Sequence, residues 1–190
     1  MLSSITPLGE RGRNRSWIVT VIAFTVGSVL AGGIVFGLSG LVGAAIGLPG
    51  QLWWVGLGLV GAGLVADAAG LRPPGPRRQV DENWLVRYRG WVVGLGYGLQ
   101  LGSAFATIVP AFASWALLIL AAFIGPMPAV LTGIAFGVGR SLLLIAGSRV
   151  HNTDALVQRM TMFTRWQKAA SFTAVVAQAV VVALMVGAFQ

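Results

Sequence analysis

The chain has 190 residues, of which 56% are hydrophobic and 9% charged, and its mean hydropathy is +0.83. A soluble core of this size could not bury so much apolar surface, so the composition predicts a polytopic membrane protein. The net charge of +8 comes largely from arginines between apolar runs, a distribution that orients membrane proteins, so nucleic-acid binding is not expected.

Residue counts also restrict the chemistry. The chain has no cysteine, which excludes disulfides, thiol relays, iron–sulfur clusters and thiolate metal sites, and its one histidine, His151, cannot form a metal cluster of histidines. No arrangement of residues supplies a nucleophile, a base and an orienting group. We therefore expect no metal, no cofactor and no enzymatic activity.

Residues 1–16 are predicted to form a basic cytoplasmic N-terminus. Arg11, Arg13 and Arg15 precede an apolar run that begins at Trp17. They could be the basic region of a signal peptide, but the apolar run continues to Gly47, well beyond the length of a signal-peptide core. An uncleaved first crossing is therefore favoured.

The apolar runs predict an all-α, polytopic transmembrane helix bundle that forms one domain over residues 17–190. Five crossings are expected, at about 17–47, 52–70, 91–124, 129–147 and 169–188. The basic loops 71–90 and 148–168 should be cytoplasmic, which puts the protein in the bacterial inner (plasma) membrane with a cytoplasmic N-terminus. If 91–124 crossed twice, making six crossings, the basic residues of 148–168 would face outward, so one crossing is favoured.

Segment 91–124 is too long for one straight crossing and has Pro110 near its middle. A proline inside a helix removes a backbone donor and clashes with the preceding turn, so we expect a helix broken near Pro110. Gln100, Ser103 and Thr107 recur at helical spacing and lie on one face that leads to the break. They could bind a small polar solute beside the unwound backbone, although hydrogen bonding between helices explains them equally well.

Arg140 lies well inside the fourth predicted crossing. A charge there costs about 3 kcal/mol or more by insertion scales, so it usually faces protein or a water-filled cavity. It could bind an anionic solute, a lipid headgroup or a partner's carboxylate, or it could tie structurally to backbone carbonyls or to Asp67. The candidate solute site is made of Arg140, Gln100, Ser103, Thr107 and Pro110.

Glycines with small-xxx-small spacing predict close helix packing, because glycine lets backbones approach where lipid offers no hydrophobic drive for association. Packing within one chain is favoured, and a homodimer seam is the alternative. The glycines concerned are Gly33, Gly37, Gly94, Gly98, Gly102, Gly133 and Gly137.

A weak two-fold internal repeat runs through the chain. Each unit has a long glycine-rich segment, a Pro/Gly turn, a crossing that ends Ala-Gly-X-Arg, at 69–72 and at 146–149, and a basic loop. Repeats with broken helices are a recurrent transporter design, because unwound backbone at mid-membrane can bind a solute. A duplication that serves only packing is the alternative.

The runs GWVVGLGYGLQLGSAFATIVPAFASW and GIAFGVGR resemble the second half of the thiol-electron transporters of the cytochrome c biogenesis and DsbD type, within the LysE-like transporter group. The run GSVLAGGIVFGLSGLVGAAIG resembles that family's glycine-rich second helix. In the family a proline interrupts a helix beside a redox cysteine, and Pro110 stands in the comparable place. Because the cysteines are absent, the resemblance implies a scaffold with a solute-sized cavity and no thiol relay.

These observations lead to two functional hypotheses. The first is a small transporter or permease-like protein that binds a small solute, for which an anion is one candidate, at the broken segment and Arg140. The alternative is a non-catalytic membrane subunit that anchors or assembles a larger membrane complex. The expected partners are the lipid bilayer and either a second copy of the chain or a larger complex.

Overall fold

The computed structural model describes residues 7–48, 53–71, 73–75, 83–104 and 112–146. Within these ranges all regular structure is helical, which confirms the all-α class there. The predicted crossing at 169–188, the loop 148–168 and, within the loop 71–90, residues 72 and 76–82 lie outside the described residues. The helices are α1 (Pro7–Gly12), α2 (Trp17–Ala45), α3 (Trp53–Ala68), α4 (Trp84–Arg87), α5 (Gly90–Gly102), α6 (Phe112–Phe123) and α7 (Pro126–Ala146).

Helix α2 is the longest described helix and the centre of the bundle. Its 29 residues extend about 43 Å, which is close to the full thickness of a bilayer with its headgroups. Among the described residues it is the helix whose length and composition suit a membrane crossing, whereas the apolar stretches Trp54–Asp67 and Ser114–Phe123 are shorter. Signal sequences near an N-terminus meet the same criterion, so the structure supports one candidate span and the five crossings stay a prediction.

Two of the helices end at a glycine in the left-handed region. Gly47 has φ +74° and Gly70 has φ +73°, a conformation that costs glycine little because it lacks a Cβ. After each of them a backbone amide returns to the last helical turn, from Leu48 to Gly43 and from Leu71 to Ala66. This arrangement satisfies carbonyls that would otherwise have no partner at the ends of α2 and α3.

The start of α7 differs from the prediction. The Pro/Gly turn predicted before the crossing at 129–147 covers Gly125 to Pro128, but α7 begins at Pro126. Proline fits the first helical turn, where its missing N–H has no partner to lose and its φ already suits the helix. Of the predicted turn residues, Gly125 makes the turn, with φ +84°, and its carbonyl accepts the amide of Ala129.

Helices α5 and α6 follow α2 in the same direction. Gly94, Gly98 and Gly102 of α5 pack in order against Thr20, Phe24 and Ser28 of α2. Farther along α2, the Ser39 hydroxyl donates to the Leu118 carbonyl of α6 at 2.8 Å, and Gly43 packs against Ala122. The predicted segment 91–124 is thus two shorter helices that together run alongside one long helix.

Helices α7 and α3 run in the opposite direction. In α7, Gly133 packs against Gly32 and Gly137 packs against Ser28, so later residues of α7 contact earlier residues of α2. Helix α3 packs antiparallel on α6, with Gly56 near Leu120 at one end and a bond from Phe112 to Asp67 at the other. The described bundle is therefore an alternating up-and-down arrangement around α2.

Two apolar clusters hold these helices together. One lies between α2, α3, α6 and α7, and the other joins α2, α4, α5 and α7 near the end of the bundle where α2 begins. The first contains Phe36, Val60, Ala104, Ala116, Leu117, Leu120, Ala121, Ala129 and Phe136. The second contains Phe24, Leu85, Val93, Tyr97 and Leu144.

The basic N-terminal segment contains an element that was not predicted, helix α1. Its Glu10 is fully buried and accepts hydrogen bonds from Arg13, at 2.7 Å, and from the Thr20 hydroxyl, at 3.0 Å. Arg15 donates to the Leu85 carbonyl at 2.8 Å. These bonds attach the N-terminal segment to the start of α2 and to α4.

Candidate functional site

The candidate site lies where α5 ends and before α6 begins. The last amide of α5 is that of Ser103, which bonds to the Leu99 carbonyl, and Ala104 then takes φ +67°. This left-handed conformation is uncommon for alanine and ends the helix at this point. The interruption therefore begins before Pro110. Two of the predicted site residues, Thr107 and Pro110, lie outside the described residues.

Asp67 closes the other side of the interruption. Its Oδ1 accepts a hydrogen bond from the backbone amide of Phe112 at 2.7 Å, and Phe112 is the first residue of α6. A carboxylate at a helix N-terminus satisfies an otherwise unpaired amide and interacts favourably with the helix dipole. No local pattern in the sequence indicates a capping role for Asp67, which lies 45 positions before Phe112 in the chain.

Ser28 lies at the junction of three helices. It is fully buried, and its backbone is contacted by Gly102 from α5 and by Gly137 from α7. Its hydroxyl has no hydrogen-bond partner among the described residues. A buried polar group without a partner carries a desolvation cost of about 1 to 3 kcal/mol, so it calls for an explanation. Sequence reasoning missed Ser28, because a single serine in an apolar run gives no signal.

The two polar residues predicted in α5 lie near this junction. The Ser103 hydroxyl donates to the Gln100 carbonyl at 2.7 Å, and Ser103 is buried while Gln100 is half-buried. Gly102, the residue between them in the chain, contacts Ser28. The structure therefore brings Ser103 and Ser28 to the same level of the bundle.

Arg140 is half-buried and lies about one turn along α7 from Gly137. Its guanidinium is 5.0 Å from the centre of the Phe136 ring, a cation–π contact between neighbouring turns of one helix. Within the described part of the chain it forms no ion pair, so the structural alternative of a tie to Asp67 is not realised there. The ring of Phe136 in turn packs on Phe36 of α2, at 5.4 Å between centroids.

The predicted packing glycines lie along α2 and its neighbours. A Cβ on Gly94, Gly98 or Gly102 would meet backbone atoms of α2, and a Cβ on Gly133 or Gly137 would do the same from α7. Gly37 faces Val130 closely, whereas Gly33 has ordinary contact distances to Ile134 and Val130. These contacts are all made within one chain.

The described residues offer little else for chemistry. Within ranges 7–48, 53–71, 73–75, 83–104 and 112–146, no group of three or more His, Cys, Asp or Glu residues could hold a metal ion. The arrangement combines one half-buried cation, Arg140, with a buried hydroxyl, that of Ser28, beside an interrupted helix. Such a set suits hydrogen bonding to a small solute or to water better than bond-making chemistry.

Curated relatives of the chain carry one name. The chain is 31% identical over 179 residues to the methylamine utilization protein MauF of Methylophilus methylotrophus. This match covers 89% of the chain and 61% of the relative. The chain is 36% identical over 115 residues to MauF of Paracoccus versutus, covering 57% of this chain and 42% of the relative. The chain thus spans about three fifths or less of the curated relatives it matches. No family model and no solved structure matches it.

These comparisons correct the family resemblance. The similar proteins are named MauF, so the assignment to cytochrome c biogenesis and DsbD-type transporters is wrong. That assignment depended on glycine and proline patterning. Many membrane bundles have glycines that let helices approach closely and helix ends near proline. The pattern therefore indicates close packing and does not indicate common ancestry.

Proposed function

We propose that this protein is a multi-pass helical protein of the bacterial inner membrane that works in methylamine utilisation. In this proposal it binds and passes on a small anionic solute at the interruption between α5 and α6. The link to methylamine utilisation comes from the names of the relatives, which describe longer proteins.

The observation that carries the proposal is the buried hydroxyl of Ser28 at the level where α5 ends. An interrupted helix leaves backbone groups that a solute can satisfy, and transporters use such interruptions as binding sites. Here the Ser28 hydroxyl, which has no partner within the described part of the chain, lies beside the last turn of α5. A bound solute or an ordered water would supply the missing partner.

The charges near the interruption favour an anion over a cation. Among the described residues of this region Arg140 supplies the positive charge, and the negative charge of Asp67 is directed at the amide of Phe112. Methylamine is a cation at neutral pH, so a site beside Arg140 would repel it. We therefore assign the protein to a step of methylamine utilisation other than the passage of methylammonium itself.

The membrane setting has support at both ends of α2. Trp17 begins the helix and Trp54 follows its end, and tryptophans concentrate at both interfaces of membrane proteins. Of the six arginines in the described residues, all except Arg140 lie at the end of the bundle where α2 begins. That asymmetry supports a cytoplasmic location for this end.

The second candidate, a membrane subunit that anchors or assembles a larger complex, is favoured by the close packing along α2. Gly98 abuts the Phe24 carbonyl and Gly133 abuts Gly32, which leaves no space between the backbones of α2, α5 and α7. A bundle built in this way is rigid where a transporter needs to open. The function of such a subunit would lie in its outer surface.

One purification distinguishes the two candidates. The protein is extracted in mild detergent from its native membrane and examined by mass spectrometry for partners. It is then tested for thermal stabilisation by phosphate, sulfate and acetate, with methylammonium as the comparison. The transport proposal expects no stoichiometric partner and an anion-dependent shift that Arg140→Gln abolishes. A stoichiometric partner with no anion effect would support the subunit instead.

A further inference from the structure

One end of the bundle presents a surface of exposed basic and aromatic or apolar side chains. We call this surface the basic end, and it consists of Arg11, Val86, Arg87, Tyr88, Arg89 and Trp91. Val86 is 85% exposed, which is unusual for an apolar residue placed among charges. The bond from Arg15 to the Leu85 carbonyl holds the two chain segments of this surface together.

The acidic residue described at this end, Glu10, does not contribute negative charge to the surface. Glu10 belongs to the same end, but it is fully buried, with its two oxygens occupied by Arg13 and by Thr20. Gly90 makes room for it, since a Cβ there would approach the Glu10 carboxylate to 3.2 Å. Arg11, Arg87 and Arg89 form no ion pair with another described residue, so their charge is directed outward.

We infer that the basic end binds the headgroups of anionic phospholipids. Arginine presents a planar set of donors that matches a phosphate, and exposed aromatic rings lie favourably at the level of headgroups. The surface surrounds the start of α2, the helix that suits a membrane crossing, so it lies where headgroups would be. The inference depends on the membrane setting of the proposed function and not on its solute.

Charge and composition together favour lipid over a soluble anion. A free phosphate would use only the arginines, whereas a bilayer surface also accommodates Val86, Tyr88 and Trp91. Each basic residue near an anionic surface strengthens binding about fivefold, and salt screens the effect. Removal of Arg87 and Arg89 should therefore weaken binding about 25-fold in total.

The test uses the full chain purified in a neutral detergent. Phosphatidylglycerol or phosphatidylcholine is titrated in at low salt and at high salt, and lipid binding is followed by native mass spectrometry and by the shift in melting temperature. The wild-type protein is compared with Arg87→Gln/Arg89→Gln and with the charge-preserving Arg87→Lys/Arg89→Lys. Inorganic phosphate is added in a parallel titration.

We expect phosphatidylglycerol to be retained and to raise the melting temperature more than phosphatidylcholine, with the difference lost at high salt. The glutamine variant should lose most of this preference and the lysine variant should keep it. Equal binding of the two lipids by the wild-type protein or full retention of the preference by the glutamine variant would overturn the inference. So would a shift with inorganic phosphate that equals the phosphatidylglycerol shift and is lost in the glutamine variant. The anion panel for the solute site does not involve Arg87 or Arg89, so the two proposals can fail separately.

Discussion

The carboxylate of Asp67 accepts the backbone amide of Phe112 at 2.7 Å and so connects the last turn of α3 to the first residue of α6. This bond fixes one boundary of the interruption between α5 and α6. It also occupies the positive end of the α6 dipole with a charge from the protein itself. The amide of Phe112 is therefore engaged within the protein, and a solute anion at the interruption would depend on Arg140 and the Ser28 hydroxyl.

Replacement of Asp67 by alanine should destabilise the protein by about 1 to 2 kcal/mol, because it removes the α6 cap. Asparagine keeps an oxygen that can accept the Phe112 amide, so Asp67→Asn should cost less. Thermal unfolding in detergent gives the order of stability, and hydrogen exchange reports the first turn of α6. Equal exchange there in wild type and Asp67→Ala would show that the bond is not a cap.

The glycines that face α2 should not tolerate even one methyl group. The new Cβ would collide with the Phe24 carbonyl in Gly98→Ala and with the Gly32 carbonyl in Gly133→Ala. Both are backbone groups, which cannot rotate away as a side chain can. We expect each variant to lower the melting temperature by several degrees, or to reduce the yield of folded protein in detergent.

Matched glycines in the same bundle supply the control. Gly58 and Gly61 of α3 and Gly139 of α7 have nothing within 4 Å of a built Cβ. Alanine there should be neutral or stabilising by about 0.5 to 1 kcal/mol, because it favours the helix. If Gly139→Ala destabilised as much as Gly133→Ala, helix contact would not explain the effect.

Ser28→Ala should separate stability from function. The hydroxyl is buried without a partner among the described residues, so its removal should leave the melting temperature unchanged or raise it. The same change should weaken the thermal stabilisation by small anions, if Ser28 contributes to their site. A clear loss of stability in Ser28→Ala without added anions would instead indicate that the hydroxyl has a structural partner.

The antiparallel bundle predicts that its two ends lie on opposite sides of the membrane. Because the natural chain has no cysteine, a single introduced thiol can be labelled without background. Val86→Cys, at the basic end, should react with an impermeant maleimide only after the cytoplasmic side is opened. Met127→Cys, at the start of α7 and 66% exposed, should react in intact cells. Labelling of both positions from one side would contradict the proposed topology.

The buried Glu10 should hold α1 against the bundle. In Glu10→Ala, the Arg13 guanidinium and the Thr20 hydroxyl lose the buried carboxylate that accepts a hydrogen bond from each of them. We expect trypsin to cleave after Arg11 and Arg13 faster than in the wild-type protein, with little change in the melting of the remaining helices. Unchanged cleavage would show that α1 is held by other contacts.

The sequence by itself determined the all-α class of the described residues and the approximate place of their longer helices. Apolar length and composition marked α2 to within two residues of its observed end, and basic residues marked the start of the bundle. The interruption of 91–124 was also anticipated, since a proline in the interior of a helix removes a hydrogen bond and clashes with the preceding turn. These are local properties, because each depends on the residues of one segment and not on its contacts with other segments.

Only the tertiary structure decided which residues meet. The bond from Asp67 to Phe112, the burial of Glu10 under Thr20 and Arg13, and the convergence of Gly102 and Gly137 on Ser28 each join parts of the chain through the packing of helices. A helix period specifies which residues share a face, but not which neighbour that face meets. For that reason the candidate site could be outlined from Gln100, Ser103 and Arg140, whereas its buried hydroxyl and its closing carboxylate emerged only from the assembled bundle.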